Sequence, residues 1–160
     1  MNPSETQLLG AMLRCTTAAE VQEIMWVIPS AAFEHRLDQA IWQAAMALAD
    51  HGGADPARCV QVVVAAGLWP RDLHHEVTLR VIEAIEVGRF DSHEWRTPAV
   101  DVLTGYARRV TASRLALLAT GLGSARPREI DRDLFAIAEF VGHVVGWINH
   151  IERPRQVVAA

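Results

Sequence analysis

Apolar residues recur at three- and four-residue steps along most of this chain, the spacing that places side chains on one face of an α-helix. The clearest example is the stretch 35–51, whose apolar stripe consists of Leu37, Ile41, Ala44 and Leu48. Gly52 and Gly53 end this stretch, as glycine commonly does after a helix. The pattern predicts an all-α fold.

Capping signals predict where the first helices begin. Ser4 and Gln7 have the spacing of a capping box, in which two side chains satisfy amides that a helix start leaves unpaired. Thr17 and Glu20 repeat this spacing and open a second helix, which Pro29 ends because proline cannot continue it. We therefore expect two short helices before the third at residues 35–51.

A capping residue followed by proline marks the start of a fourth helix at Asp55-Pro56. Val60 to Val64 could pass for a strand by itself, but this start predicts that it is helical. Gly67 lies where the end of such a helix favours a positive φ. Asp72 is predicted to cap a fifth helix that Gly88 closes.

Two long helices are predicted in the C-terminal half. The first begins at Thr97-Pro98, after a loop over residues 89–96, and runs to about Leu122. Its apolar seam consists of Leu103, Tyr106, Val110, Ser113 and Leu117. The seam of the second consists of Leu134, Ile137, Val141, Val144, Ile148 and Ile151. Because a short turn at Arg126-Pro127 joins two coiled-coil-like seams, the pair is predicted to fold back as an antiparallel hairpin.

The predicted architecture is a single domain over residues 1–160. A helical bundle of about five short helices occupies residues 1–90, a long C-terminal antiparallel helical hairpin occupies 97–152, and 153–160 form a frayed tail. Phe140 and Trp147 widen the apolar face of the last helix beyond what one partner helix covers. Either the rest of the domain or a second protein surface is expected to cover them.

Composition argues against a nucleic-acid or membrane partner. The chain has a formal net charge of -4, and its 15 basic residues are all Arg. Since no short helix is basic, we expect neither direct nucleic-acid binding nor a helix-turn-helix regulator. Residues 1–5 lack the features of a signal peptide, and Leu134 to Ile148, the most apolar stretch, is too short to span a bilayer. A soluble, cytoplasmic protein is predicted.

No motif for catalysis or cofactor binding stands out. Cys15 and Cys59 are isolated, without the spacing of metal ligands or of a disulfide framework. The glycines occur as helix stops and never in a phosphate-binding loop, so we expect no cofactor. No nucleophile with a paired base can be identified, so no enzyme activity is predicted.

The histidines do not predict a metal site. His74 and His75 are adjacent on a predicted helix and point about 100° apart, which prevents both from binding one ion. Asp91, His93 and Glu94 are close in a predicted loop, where solvation is a simpler role than cation binding. We therefore expect no bound metal.

Two basic patches lie in the predicted hairpin. One consists of Arg108, Arg109 and Arg114, and the other of Arg126, Arg128 and Arg132. Solvated helix faces and compensation of a helix dipole are the simpler interpretation. Docking on an acidic protein surface is the alternative.

Several short motifs along the chain indicate a family by their order and spacing, although no single motif is specific. Glu5 is followed by Leu8-Leu9-Gly10, and later by Phe33-Glu34-His35-Arg36 at a helix start. Tyr106-Ala107-Arg108-Arg109-Val110 and Arg114-Leu115 follow in the first hairpin helix. With the helix at 60–67, this order resembles the N-terminal collar domain of DnaB-type replicative helicases. The resemblance covers residues 5–67 and, more loosely, 97–122.

The resemblance implies a globular helical body followed by a hairpin that pairs between subunits. In that family the resulting collar also docks the primase. The sequence stops at Ala160 without an ATPase domain, so helicase activity is not implied. A stand-alone protein and a fragment of a full helicase both fit.

We therefore predict a protein-interaction domain that binds the replicative helicase or the primase, self-associates as a homodimer or higher oligomer through its hairpin, or does both. A self-associating structural helical module with no replication role is the alternative. The residues predicted to form the association surface are Tyr106, Arg109, Arg114, Leu117, Phe140, Val144, Trp147 and Ile148.

Overall fold

The computed structural model describes residues 2–88, 92–122 and 126–153. These residues form seven α-helices and four short 3₁₀ turns, and no strand occurs among them. The helices are α1 (Pro3–Leu13), α2 (Ala18–Met25), α3 (Arg36–Leu48), α4 (Pro56–Ala65), α5 (His74–Val87), α6 (Arg96–Gly121) and α7 (Pro127–Glu152). The prediction of an all-α fold is confirmed. The predicted frayed tail, apart from Arg153, lies outside the described residues.

The chain divides into two compact units, Met1–Val102 and Leu103–Ala160. The division falls inside α6, so the first turns of this helix belong to the first unit and the remainder to the second. We describe each unit by itself.

Helix starts agree with the capping prediction at α2 but not at α1. Thr17 and Glu20 form the predicted capping box, with each side chain accepting a hydrogen bond from the other residue's backbone amide. The predicted box at Ser4 is wrong, because Asn2 is the N-cap and its side chain accepts from the Ser4 amide at 3.1 Å. Pro3 begins the helix without leaving a donor unpaired, since proline has no amide hydrogen.

The predicted caps of α5 and α6 are also wrong. Asp72 lies within a 3₁₀ turn, Arg71–Leu73, that leads directly into α5. Thr97 lies inside α6, which begins at Arg96 after the 3₁₀ turn Ser92–Trp95. A 3₁₀ turn already supplies helical geometry at a helix start, so no capping side chain is required there.

The core of the first unit is built from α1, α3, α4 and α5. Helix α1 packs against α3 and α5, and α3 packs against α4. Leu8, Leu9 and Trp42 are fully buried. The indole Nε1 of Trp42 donates to the carbonyl of Ile28 at 3.2 Å, so the one polar atom of this large side chain is satisfied. The core therefore buries this large apolar side chain without leaving its polar atom unpaired.

A charged network is buried in the same core. Arg80 is 4% exposed and Asp38 is fully buried. Arg80 donates to both Asp38 carboxylate oxygens, from Nε at 2.6 Å and from Nη2 at 2.8 Å. Nη2 also donates to Thr6 Oγ1 at 3.0 Å, and Nη1 donates to Glu83 at 3.0 Å. The network joins α1, α3 and α5, and sequence analysis did not predict it.

In the second unit, the predicted seams are buried unevenly. Ile137, Val144 and Ile151 of α7 are at most 8% exposed, so one heptad-spaced line is packed. Leu117 is 69% exposed and Leu134 is 45% exposed, although both were predicted to lie in the seams. Apolar side chains therefore remain in contact with solvent late in α6 and early in α7.

Candidate protein-interaction surface

Aromatic and cationic side chains connect α6 to α7 within the second unit. The rings of Tyr106 and Phe140 meet edge to face, with centroids 5.4 Å apart and planes at 82°. The guanidinium carbon of Arg114 lies 5.0 Å from the centroid of the Phe140 ring, within the range of a cation–π contact. Arg114 Nη1 donates to the carbonyl of Ala136 at 3.4 Å. Half-buried Phe140 thus contacts its own chain on at least one side.

The predicted association residues differ widely in exposure. Val144 is 1% exposed, so its side chain packs within the chain and leaves almost no surface for a partner. The half-buried members of the set are Tyr106, Arg109, Phe140, Trp147 and Ile148. Arg114 is exposed, and Leu117 is 69% exposed. These last two therefore offer the most surface to another protein.

Arg114 and Leu117 border a groove between α6 and α7. The groove has a volume of about 410 Å³ and is lined by Arg114, Leu117, Leu118, Gly121, Asp133, Ala136 and Ile137. Most of this lining is apolar, with one cation and one anion at its edge. Such a combination fits the apolar face of a helix whose flanks carry charge.

Sequence analysis missed two exposed apolar side chains of the second unit. Phe135 is 70% exposed and Leu122 is 51% exposed, yet neither was predicted to be a site residue. Exposed apolar patches on soluble proteins commonly mark contacts with other proteins. Hydropathy singles out Phe135 as a large apolar residue, but its direction depends on how α7 is rotated against α6.

The second basic patch lies on the exposed start of α7. Arg126, Arg128 and Arg132 are all exposed. The Arg132 Nε lies 3.5 Å from a carboxylate oxygen of Asp133, so part of the positive charge is compensated locally. Docking of this patch on an acidic protein surface stays a prediction.

Both thiols are buried in the first unit. Burial raises the pKa of Cys15 from 9.0 to about 12, and repulsion from Glu20 adds to the effect. Burial likewise raises the pKa of Cys59 from 9.0 to about 12, with a smaller contribution from Asp55. Because the thiolate is the reactive form, neither cysteine is suited to nucleophilic chemistry.

We expect both thiols to be alkylated about a thousandfold more slowly in the folded protein than in urea at pH 8. This ratio is the difference in thiolate fraction between pKa values of 9.0 and about 12. Iodoacetamide labelling followed by mass spectrometry measures both rates. Equal labelling rates with and without urea would contradict the burial of these groups.

The same pKa values predict a pH dependence of stability. Because the thiols of the unfolded chain ionise at lower pH than those of the folded chain, the free energy of unfolding should fall as the pH rises from 9.0 towards about 12.

Within the described part of the chain, no group of three His, Cys, Asp or Glu side chains could hold a metal ion. The rings of His74 and His75 lie at 88° to each other with centroids 6.2 Å apart. Of the loop candidates, Asp91 and the His93 side chain lie outside the described residues. The expectation of no bound metal stays a prediction for this loop.

One helix in the described ranges, α7, is long and apolar enough to cross a membrane by length and composition alone. Only 11% of its most apolar window is buried. A single helix of this kind is a weak indication, because the mostly buried core helix of a soluble protein and a signal sequence pass the same test. The stretch from Leu134 to Ile148 was predicted to be too short to span a bilayer, but α7 continues beyond it at both ends, so that argument from length is wrong. The predicted absence of a membrane partner stays a prediction.

Similarity to a characterised protein can indicate a function where side-chain chemistry does not. The resemblance to the helicase collar domain rests on the order and spacing of motifs in residues 5–67 and 97–122. When the chain is compared with protein-family models, with curated proteins and with solved structures, no match is found.

Proposed function

We propose that the chain is a protein-interaction domain in which a bundle of short helices is followed by an antiparallel hairpin of α6 and α7. The order of contacts supports the antiparallel arrangement. Tyr106 meets Phe140, whereas Arg114, further along α6, bonds to Ala136, which precedes Phe140 in α7. Residue numbers therefore rise in one helix as they fall in the other.

The observation that carries the proposal is the apolar groove beside Leu117. A side chain of this size at 69% exposure leaves apolar surface in water, and covering it with a partner is favourable by about 25 cal/mol per Å². Arg114 and Asp133 at the groove edge give a docked helix one charge of each sign to meet. An amphipathic helix of another protein fits this surface.

We propose the replicative helicase or the primase as the source of that helix. The support is the order of motifs that the chain shares with the helicase collar domain, which docks the primase in its own family. The chain would then act in the cytoplasm by association alone, and would bind or modulate the replication machinery.

The alternative function is self-association without a replication role. Phe135, which is 70% exposed on the side of α7 opposite to its buried line, favours keeping this alternative. The two functions use different surfaces and can be tested separately.

Leu117→Glu is expected to weaken binding to the purified helicase or primase of the encoding organism by about tenfold or more. A charge in the groove would have to lose its hydration on docking, and tenfold corresponds to about 1.4 kcal/mol. The matched control is Leu79→Glu, because Leu79 is also a leucine exposed on a helix, at 64% against 69% for Leu117. Biolayer interferometry on the three proteins measures the affinities.

Equal weakening by both substitutions would show that charge, and not the groove, controls binding. If neither helicase nor primase binds the unsubstituted chain at micromolar concentration, the replication role is wrong and self-association remains.

A further inference from the structure

One side of α7 is exposed along the full length of the helix. It includes Asp131, Phe135, Gly142 and Gly146, and it is continued by Arg153, the residue that follows α7; all five are exposed. These residues follow one another at intervals of four, seven, four and seven residues, which keeps them on one line of an α-helix. We call this line the outer face of α7. It lies opposite the buried line of Ile137, Val144 and Ile151.

The outer face is shallow at its centre, where Gly142 and Gly146 lie between the exposed polar residues Glu139 and Asn149. A Cβ added at Gly142 or Gly146 would meet no described atom within 4 Å outside its own helix. Phe135 is 70% exposed and Val145, beside the face, is 48% exposed. A second helix could therefore approach closely at the glycines while the larger side chains pack around it.

The charges at the two ends of the outer face are opposite and symmetrically placed. Asp131 lies 142 − 131 = 11 residues before Gly142, and Arg153 lies 153 − 142 = 11 residues after it. At 1.5 Å per residue, the interval from Asp131 to Arg153 spans about 33 Å. Two such helices placed antiparallel and centred on Gly142 bring each Asp131 to the level of the other copy's Arg153.

We propose that the outer face binds a second copy of this chain, with the two α7 helices antiparallel about a two-fold axis at Gly142. A two-fold interface requires one surface to complement itself, and the spacing of Asp131 and Arg153 about Gly142 meets this requirement at both ends. Phe135 comes to the level of Asn149 in the second copy, an exposed residue that lies one helical turn from Gly146.

This arrangement deepens the self-association part of the proposed function and rests on it. It differs from the predicted interface, because Phe140 and Trp147 lie on the α6 side of α7 and are half-buried in the single chain. The partner is a second copy because an unrelated helix gives no reason for opposite charges at equal distances from one glycine.

Charge reversal tests the arrangement. Asp131→Arg and Arg153→Asp each place like charges together at both ends, and each is expected to weaken the dimer by about tenfold or more in sedimentation velocity runs. Mixing the two variants in equal amounts restores opposite charges at both ends of a mixed dimer, so dimerisation should return. The recovery should decline with added salt, because these pairs are exposed to solvent.

Gly142→Leu tests the centre of the interface. The added side chain has free space in the single chain and improves helix propensity, so the protein should fold while the dimer is lost. The control is Ala112→Leu, because Ala112 is exposed on α6 and lies off the outer face. Circular dichroism of each variant checks that its helix content is unchanged.

An unsubstituted chain that stays monomeric at tens of micromolar would overturn the proposal. So would a dimer whose affinity is unchanged by Asp131→Arg, Arg153→Asp and Gly142→Leu, since that dimer must use another surface. These measurements need no helicase or primase, and Leu117 is not on the outer face. Failure here is therefore distinct from failure of partner binding at the groove.

Discussion

Replacing Asp38 with alanine is expected to lower the free energy of unfolding by about 3–5 kcal/mol, the usual effect of removing one partner from a buried ion pair. Asp38 is fully buried and accepts hydrogen bonds from Arg80 Nε and Nη2 at 2.6 and 2.8 Å. Without the carboxylate, the guanidinium of Arg80 stays in the core, where its nitrogens donate to Thr6 and to Glu83. An uncompensated buried charge is among the largest single destabilising effects in a folded protein.

The remaining cation cannot escape this cost by losing its proton. In the unsubstituted chain burial lowers the pKa of Arg80, whereas the hydrogen bonds and attraction of Asp38, with help from Glu83, raise it overall; Asp38→Ala removes the larger of these raising causes. A guanidinium is so strong a base that Arg80 stays charged across the pH range in which the protein is studied even without Asp38. The Asp38→Ala effect should therefore be nearly constant across neutral pH.

Urea denaturation followed by circular dichroism measures the effect. Glu83→Ala is the control, because Glu83 contacts the same guanidinium but its side chain is 44% exposed, so its loss should cost about 1 kcal/mol or less. The double variant Asp38→Leu with Arg80→Met should recover much of the stability, because it leaves no charge in the core. A cost below about 1 kcal/mol for Asp38→Ala would show that water reaches Arg80.

The ion pair also shows where sequence reasoning stops. Asp38 and Arg80 lie 42 residues apart, and each sits in a helix whose apolar spacing is easy to read. Periodicity places both residues on helices, but it says nothing about which helix faces which. A polar residue on a predicted apolar face can equally mark an edge of that face, so nothing in the pattern identified the pair.

Helix positions were predicted better than helix starts. The third and fourth helices lie where the apolar spacing and the glycine stops indicated. Gly67 was predicted to have a positive φ, and its φ is 67°. Asp72 and Thr97 have the chemistry of caps, yet 3₁₀ turns precede both helices and remove the need for them. Capping chemistry is local, whereas the choice of a 3₁₀ entry depends on how the preceding segment packs.

The candidate surface was predicted in part for a similar reason. Arg114 and Leu117 were identified from the seam of α6, and both border the groove. Phe135 and the outer face of α7 were missed because the sequence pattern predicts one apolar seam for each helix, and these residues lie outside it. Gly142 and Gly146 four residues apart, with Asp131 and Arg153 at equal distances from Gly142, were readable in the sequence. Only the exposure of that line distinguishes it from a second core face.

Substituting Gly10 with alanine is expected to cost about 3 kcal/mol or more, at the upper end of overpacking effects. A Cβ on Gly10 would overlap the carbonyl oxygen of Ala84 and would lie 2.9 Å from the Cα of Gly88. Both obstacles are backbone atoms of α5 or its end, so no side-chain rotation relieves the contact. Helices α1 and α5 would have to separate where they pack most closely, which exposes the core around Leu9.

The same substitution at Gly105 is the control. Gly105 is also inside a helix, but the nearest atom to its added Cβ is the far end of the Arg109 side chain at 3.4 Å, which can move. Gly105→Ala should therefore be neutral or stabilise by up to about 1 kcal/mol through helix propensity. Urea midpoints of the two variants give the comparison, and hydrogen exchange of α1 and α5 amides locates the loss in the first unit.

If Gly10→Ala unfolds at the same urea concentration as the unsubstituted chain, α1 and α5 do not cross at these glycines. The Leu8-Leu9-Gly10 motif would then need an explanation other than close helix packing.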